Sequence, residues 1–205
     1  NIFTNHIWYW GDQHHDLTVG PERARRMEAC RTAEREGVSF SIHSDANVTP
    51  LGHLHTMWCA VNRVTPSGRV LGPDERISPT SALRSVTLGS AYQLHLDHEF
   101  GSIECGKAAD FTVLAEDPLE VDPMTIKDIG IWGTVVAGQP VAANTDARAG
   151  RFRARHALVF LVADWSDSHV EGERDSVNHT SIERVVTDRV GLCRAVVPNR
   201  DRAGP

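Results

Sequence analysis

A strand, a helix and a second strand follow one another within the first 45 residues, an order that favours parallel pairing of the two strands. Residues 1–10 are rich in β-branched and aromatic types and read as a strand ending near Gly11-Asp12. Glu22 to Glu36 reads as one helix: Pro21 suits its first turn, Ala24, Met27, Cys30 and Ala33 recur at helical spacing, and Gly37 stops it. Val38, Phe40 and Ile42 then alternate into a second strand, which stops at Asp45 and enters the loop Ala46-Asn47-Val48-Thr49-Pro50. An acid at the C-terminal end of such a strand, followed by a helix-forming segment, is where β/α folds keep their catalytic groups.

Downstream, Leu54 to Val64 is a second helix, and Ser78-Pro79 opens a third with Ser as N-cap and Pro at the first helical position. Ala82, Leu83, Val86 and Ala91 supply its buried stripe. After His98 the texture changes to short strands separated by glycine: Gly101–Ile103, Phe111–Leu114, Ile129–Val136 and Gln139–Val141. This divides the chain into residues 1–95, built from β and α units, residues 96–143, a small β-module, and residues 144–205, an atypical tail. Every basic residue of that tail is Arg, and apolar periodicity is weak apart from Ala157–Ala163, with Val177–Val190 a short helix or strand. The tail is expected to be disordered or an out-of-frame read. At 205 residues the chain falls short of the roughly 250 that a complete (β/α)8 barrel needs. With Asn1 rather than Met at its head, it is expected to be a segment of something longer.

Composition removes several classes. A net charge of −6 argues against a nucleic-acid footprint. No apolar run approaches the eighteen or so residues of a membrane span, and no charged-then-apolar leader opens the chain, so the expectation is a cytoplasmic protein without nucleic-acid or membrane partners. Four cysteines are scattered without a Cys-x-x-Cys pair, which argues against a zinc knuckle.

Asp45 is the foremost candidate for chemistry. A carboxylate beside a divalent cation can accept a proton from bound water and later return it to a leaving group; the alternative is that Asp45 caps the following turn. His6, Trp8 and Trp10 crowd the end of the first strand, and strand alternation would point them to one face, where they could line a substrate pocket. His43 shares a face with Asp45 by the same parity and could support it from behind. His14-His15 and His53-x-His55 have the look of cation chelators, and are read as solvated or supporting histidines. Lys107 and Asp110, set among glycines and short strands, are read as structural.

The matching pieces are His43-Ser44-Asp45-Ala46 with Val48 and Pro50, Ala60-Val61-x-Arg63, Arg76-Ile77-Ser78 leading to Ala82-Leu83-Arg84, Thr87, and Ala91-Tyr92. They continue with Gly101 to Asp110, Val113-Leu114, Asp117-Pro118 and Thr134-Val135-Val136-x-Gly138. In this order they resemble the amidohydrolase superfamily, in its amidohydrolase 3 or YtcJ-like branch. The resemblance implies the C-terminal part of a metal-dependent hydrolase barrel with a small β-sandwich. It would act on an amide, formamide or cyclic amide through water activated by one or two divalent ions, zinc foremost. Asp45 would then be a metal ligand and proton shuttle at the eighth strand, with His6 at the end of the seventh. The family's His-x-His pair, bridging residue and middle-strand histidines have no counterpart here. The chain alone is therefore expected to be inactive, and an open barrel edge makes a homo-oligomer or a missing N-terminal half the expected partner. The alternative is a non-catalytic subunit or remnant that completes a barrel with a partner chain.

Overall fold

The computed structural model describes residues 1–142 and the short strand Leu158–Phe160. The remainder of the 144–205 tail, including Val177–Val190, lies outside the described residues. The described residues form two compact units, one from Asn1–His95 with Pro118–Ile129, the other from Leu96–Asp117 with the described residues from Gly130 onward.

The first unit is mainly helical. Its helices are α1 (Asn5–Gln13), continued by a π-helical turn His14–Thr18, α2 (Pro21–Ala24), α3 (Cys30–Arg35), α4 (His53–Asn62), α5 (Pro79–Val86) and α6 (Leu88–Gln93). Short 3-10 turns occupy Pro73–Glu75 and Pro123–Asp128. Its centre is α4, in which every residue from Thr56 to Asn62 is buried. A helix apolar around most of its circumference can be satisfied only by being surrounded. Met57, Trp58, Cys59, Ala60 and Val61 pack with Ile42, Ile77, Ala82, Val86 and Ile126. The Trp58 indole N–H donates to the Met124 carbonyl at 2.9 Å, and Asn62 Nδ2 donates to the Pro123 carbonyl at 2.8 Å. These two bonds tie the Pro123–Asp128 turn to this core. Ser78 caps α5 by accepting from the Ser81 N–H at 3.1 Å, with Pro79 at the first helical position, as its sequence predicts.

Three sequence expectations change here. The strand over residues 1–10 is a helix from Asn5 onward. Thr4, Ile7 and Gly11 are buried at helical spacing, so burial of that stripe outweighs the β-propensity of the aromatic residues. Gly11 permits the close approach: a Cβ there would lie 2.8 Å from Thr65 Cγ2. The helix over Glu22–Glu36 is broken between α2 and α3, where Glu28 takes a left-handed conformation (φ 51°). The cause is tertiary, since Arg63 engages the carbonyls of Met27 and Glu28. Finally, the strand over Val38–Asp45 pairs only through a parallel bridge between Ile2 and Ile42, held by Ile2 N–H to Ser41 O (2.9 Å) and His43 N–H to Ile2 O (3.0 Å). The parallel sense is the one expected, but among the described residues no longer run of barrel strands forms.

Glu75 is buried and accepts from the Thr32 backbone N–H (2.8 Å) and hydroxyl (2.6 Å), with Arg26 3.4 Å away. Burial disfavours its charge, but the Thr32 bonds and the Arg26 and Arg63 charges outweigh that and hold its pKa below the ordinary 4.5. A carboxylate depressed on folding contributes stability that is whole above its unfolded pKa and is lost as pH falls through the folded value. Urea midpoints should therefore decline as pH falls below about 4.5, and Glu75→Gln should flatten that decline. An identical acid limb in the variant would remove Glu75 from the account.

The second unit is an antiparallel sheet in the order β3-β2-β1-β4, from β1 (Phe111–Leu114), β2 (Ile131–Val136), β3 (Gln139–Ala142) and β4 (Leu158–Phe160). Phe111 pairs with Val135 and Val113 with Gly133, and Val135 faces Pro140 across the second ladder. Ala137 (φ 49°) and Gly138 (φ 77°) both have positive φ, as a two-residue hairpin turn between twisted strands requires. The Asp110 carboxylate accepts from the Ala137 N–H at 2.6 Å, stapling the turn to the start of β1. Lys107 donates to the Asp97 carbonyl and the Ser102 hydroxyl, both at 2.6 Å. Both residues are thus engaged structurally. Gly101–Ile103, expected as a strand, forms bends, and Gly101 adopts φ 90°.

Candidate active site

Asp45 lies three residues beyond the Ile42 bridge, exposed, in a turn where it adopts φ 52°. Its carbonyl accepts from the N–H groups of Val48 (2.7 Å) and Thr49 (3.2 Å). Thr49 reinforces the turn, its hydroxyl donating to the Ser44 carbonyl and accepting from Asn5 Nδ2 at 2.9 Å. The turn is thereby fastened to the first residue of α1. The Asp45 N–H donates to His43 Nδ1 at 3.1 Å, so the neutral His43 ring carries its proton on Nε2. Burial holds the His43 pKa below the ordinary imidazole value, against the opposing pull of Asp45 and Glu28.

His6 is one aromatic ring away. Phe3 stacks on His43 and on His6, each at 5.3 Å between centroids. Because residues 5–13 are helical, His6 and Trp10 share a face and meet edge-on at 5.6 Å. Trp8 turns instead into the core, packing edge-on against Trp58 at 5.3 Å and touching His55. The alternation that put His6, Trp8 and Trp10 on one face therefore gives way to a helical grouping of His6 with Trp10.

Two further residues meet His6, His14 by the same helical spacing and Glu28 from the break between α2 and α3. His14 Nε2 lies 2.8 Å from His6 Nε2, and Glu28 Oε1 lies 2.9 Å from His6 Nδ1. The Thr18 hydroxyl approaches His14 Nδ1 at 2.6 Å. Positions 6, 10 and 14 are four apart, a signal present in the sequence but hidden by assigning a strand. Glu28 carried no such signal, because its placement depends on the break between α2 and α3. Burial, and repulsion from His6, lower the His14 pKa, partly offset by Glu28.

Residues 2–142 match the family model of the Amidohydrolase family, and the chain belongs to that family. It is 35% identical over 129 residues to N-substituted formamide deformylase of Arthrobacter pascens, covering 63% of this chain and 24% of that protein. It is 31% identical over 126 residues to the amidohydrolase YtcJ of Bacillus subtilis (strain 168), covering 60% and 24%. Protein LONG AFTER FAR-RED 3 of Arabidopsis thaliana is 40% identical over 99 residues, covering 47% and 17%. The chain thus spans about a quarter of the length of the first two relatives.

The family is generally metal-dependent. Among the described residues, no group of three or more His, Cys, Asp or Glu side chains is placed to hold an ion. Around Asp45, the nearest imidazole already accepts a hydrogen bond at Nδ1. A catalytic zinc needs about three protein ligands and an open position. The described residues do not meet that requirement at Asp45, and no step through a metal follows from them. Among the described residues, no helix is long and apolar enough to cross a membrane.

Proposed function

We propose that this chain is the C-terminal portion of a (β/α)8-barrel amidohydrolase that hydrolyses a C–N bond in an amide, formamide or cyclic amide. The observation that carries the reading is the family match over residues 2–142, within which Asp45 stands exposed just after the parallel Ile2–Ile42 bridge. The similarity to N-substituted formamide deformylase favours formamides as the substrate class. In this reading the Asp45 carboxylate takes a proton from the attacking water as the water adds to the carbonyl carbon. The same proton is then given to the departing nitrogen as the C–N bond breaks. His43, Phe3, His6 and Trp10 border that position, the rings offering an apolar wall and the imidazoles hydrogen bonds to a polar end. One or two divalent ions, zinc foremost, would supply the acidity of the water, held jointly with groups outside the described residues.

A second reading has its own support. With no three-donor group among the described residues, the chain could act as a subunit that completes a barrel with a partner. Assay of the purified chain with N-substituted formamides and added Zn²⁺ should show no turnover. Turnover should appear when the chain is continuous with, or mixed with, a segment carrying a His-x-His strand. Activity from the chain alone that survives Asp45→Asn would sink the proposal. Restoration only by a separate polypeptide would favour the subunit.

A further inference from the structure

Thr4 stands at the N-cap of α1, where a threonine ordinarily accepts from an N–H of its own helix. Here it makes no such cap, and its hydroxyl donates instead to the Thr56 carbonyl of α4 at 2.9 Å. Both residues are buried, so the start of α1 is bolted to the core helix. The next residue, Asn5, is equally buried, an uncommon position for an amide. Its neighbours fix which way the amide faces. The Thr49 hydroxyl has one hydrogen and gives it to the Ser44 carbonyl, so it turns only lone pairs toward Asn5. The atom 2.9 Å from it must therefore be Asn5 Nδ2, which donates. Asn5 Oδ1 is buried as well and finds no hydrogen-bond partner among the described residues. An acceptor buried without a partner lowers stability, so stability does not account for an asparagine here. What the amide achieves is to hold one hydroxyl in one place.

That hydroxyl belongs to the turn that carries Asp45. The peptide group before the Asp45 Cα is held at both ends, its Ser44 carbonyl by the Thr49 hydroxyl and its Asp45 N–H by His43 Nδ1. The peptide group after it is held through the Asp45 carbonyl, by the N–H groups of Val48 and Thr49. Peptide groups are planar, so fixing the two that flank a Cα fixes its φ and ψ and the direction of its side chain. A φ of 52° is uncommon for a residue other than glycine, and such a conformation persists where the surroundings impose it. We infer that Asn5 and Thr49 are positioning residues that aim the Asp45 carboxylate, Thr49 through the two peptide planes and Asn5 through Thr49. The inference rests on the reading of Asp45 as the proton carrier. A carboxylate that passes one proton from water to nitrogen must reach both, and a misplacement of about 1 Å can cost about a hundredfold in rate.

The test begins with the full chain and reads amide hydrogen exchange by nuclear magnetic resonance. Thr49→Val keeps the shape and removes the hydroxyl, Thr49→Ser keeps the hydroxyl, and Asn5→Ala removes the donor together with its unpaired oxygen. The Val48 and Thr49 amides should exchange at least about tenfold faster in Thr49→Val and Asn5→Ala, and at the parental rate in Thr49→Ser. The Ile2 and Thr56 amides, bonded to the Ser41 and Gly52 carbonyls, should keep their rates and so report an intact fold. If they too speed up in Thr49→Val, that variant has lost its fold and Asn5→Ala decides by the same readings. In the assembled enzyme, kcat should fall about ten- to a hundredfold in Thr49→Val and Asn5→Ala with KM nearly unchanged, and Thr49→Ser should restore it. Parental exchange at Val48 and Thr49 in both variants would overturn the inference. Parental kcat in both, with Asp45→Asn inactive, would overturn it as well while leaving the role of Asp45 intact. Full activity in Asp45→Asn would instead overturn that role, and the inference with it.

Discussion

Asp45→Asn is expected to lower the proposed C–N hydrolysis of the assembled enzyme by about a hundred- to ten-thousand-fold, the usual worth of a positioned proton carrier. The variant isolates the chemistry. Asparagine has nearly the same shape, and it tolerates the left-handed backbone that Asp45 adopts at φ 52°. The turn is held by the Asp45 carbonyl, which accepts from Val48 and Thr49, and that carbonyl survives the change. Stability should therefore hold while kcat falls, with KM moving far less. The measurement pairs steady-state kinetics with a thermal melt. Full activity in a folded variant would show that Asp45 only caps its turn.

Arg63→Met is expected to destabilise the first unit by about 4 kcal/mol. Arg63 is fully buried and spends its guanidinium on three backbone carbonyls: Leu71 (2.7 Å from Nε), Glu28 (2.9 Å) and Met27 (2.7 Å). Burial depresses its pKa, against the support of Cys30, Glu75 and Glu28. Those carbonyls lie in two loops, and although Glu28 O keeps the Cys30 N–H at 2.8 Å, removing the donor takes the guanidinium partner from Met27 and Leu71. The two loops approach closely at Gly72, where a Cβ would lie 1.8 Å from the Arg25 carbonyl oxygen. Arg63→Lys should be nearly as costly, because an ammonium cannot reproduce a planar fork on three acceptors. Urea denaturation of the two variants checks this. A midpoint within error of the parent would mean that water takes over the three acceptors.

Legibility along the chain followed the range of the forces involved. The helices at His53–Asn62 and Pro79–Val86 and the strands β1 to β3 carry their reasons locally, in a continuous apolar run, a Ser-Pro cap, and alternation with a two-residue turn. The order of motifs around Asp45 was likewise readable, and it led to the family that the match over residues 2–142 establishes. The first 36 residues were misread for the opposite reason. Ile2, Trp8, Tyr9 and Trp10 have strand propensities, but their conformation is decided by what Thr4, Ile7 and Gly11 pack against.

By itself, then, the amino-acid sequence determined the family, the aspartate that ends the parallel unit, and the elements whose signals lie within a few residues. Only the tertiary structure decided that His6, His14 and Glu28 meet. That meeting requires α1 to be a helix and the segment before α3 to be broken at Glu28. Both depend on distant partners, Thr65 and Leu71 against Gly11 and Arg63 against residues 27 and 28, and a contact between residues far apart in the chain leaves no periodicity in either segment.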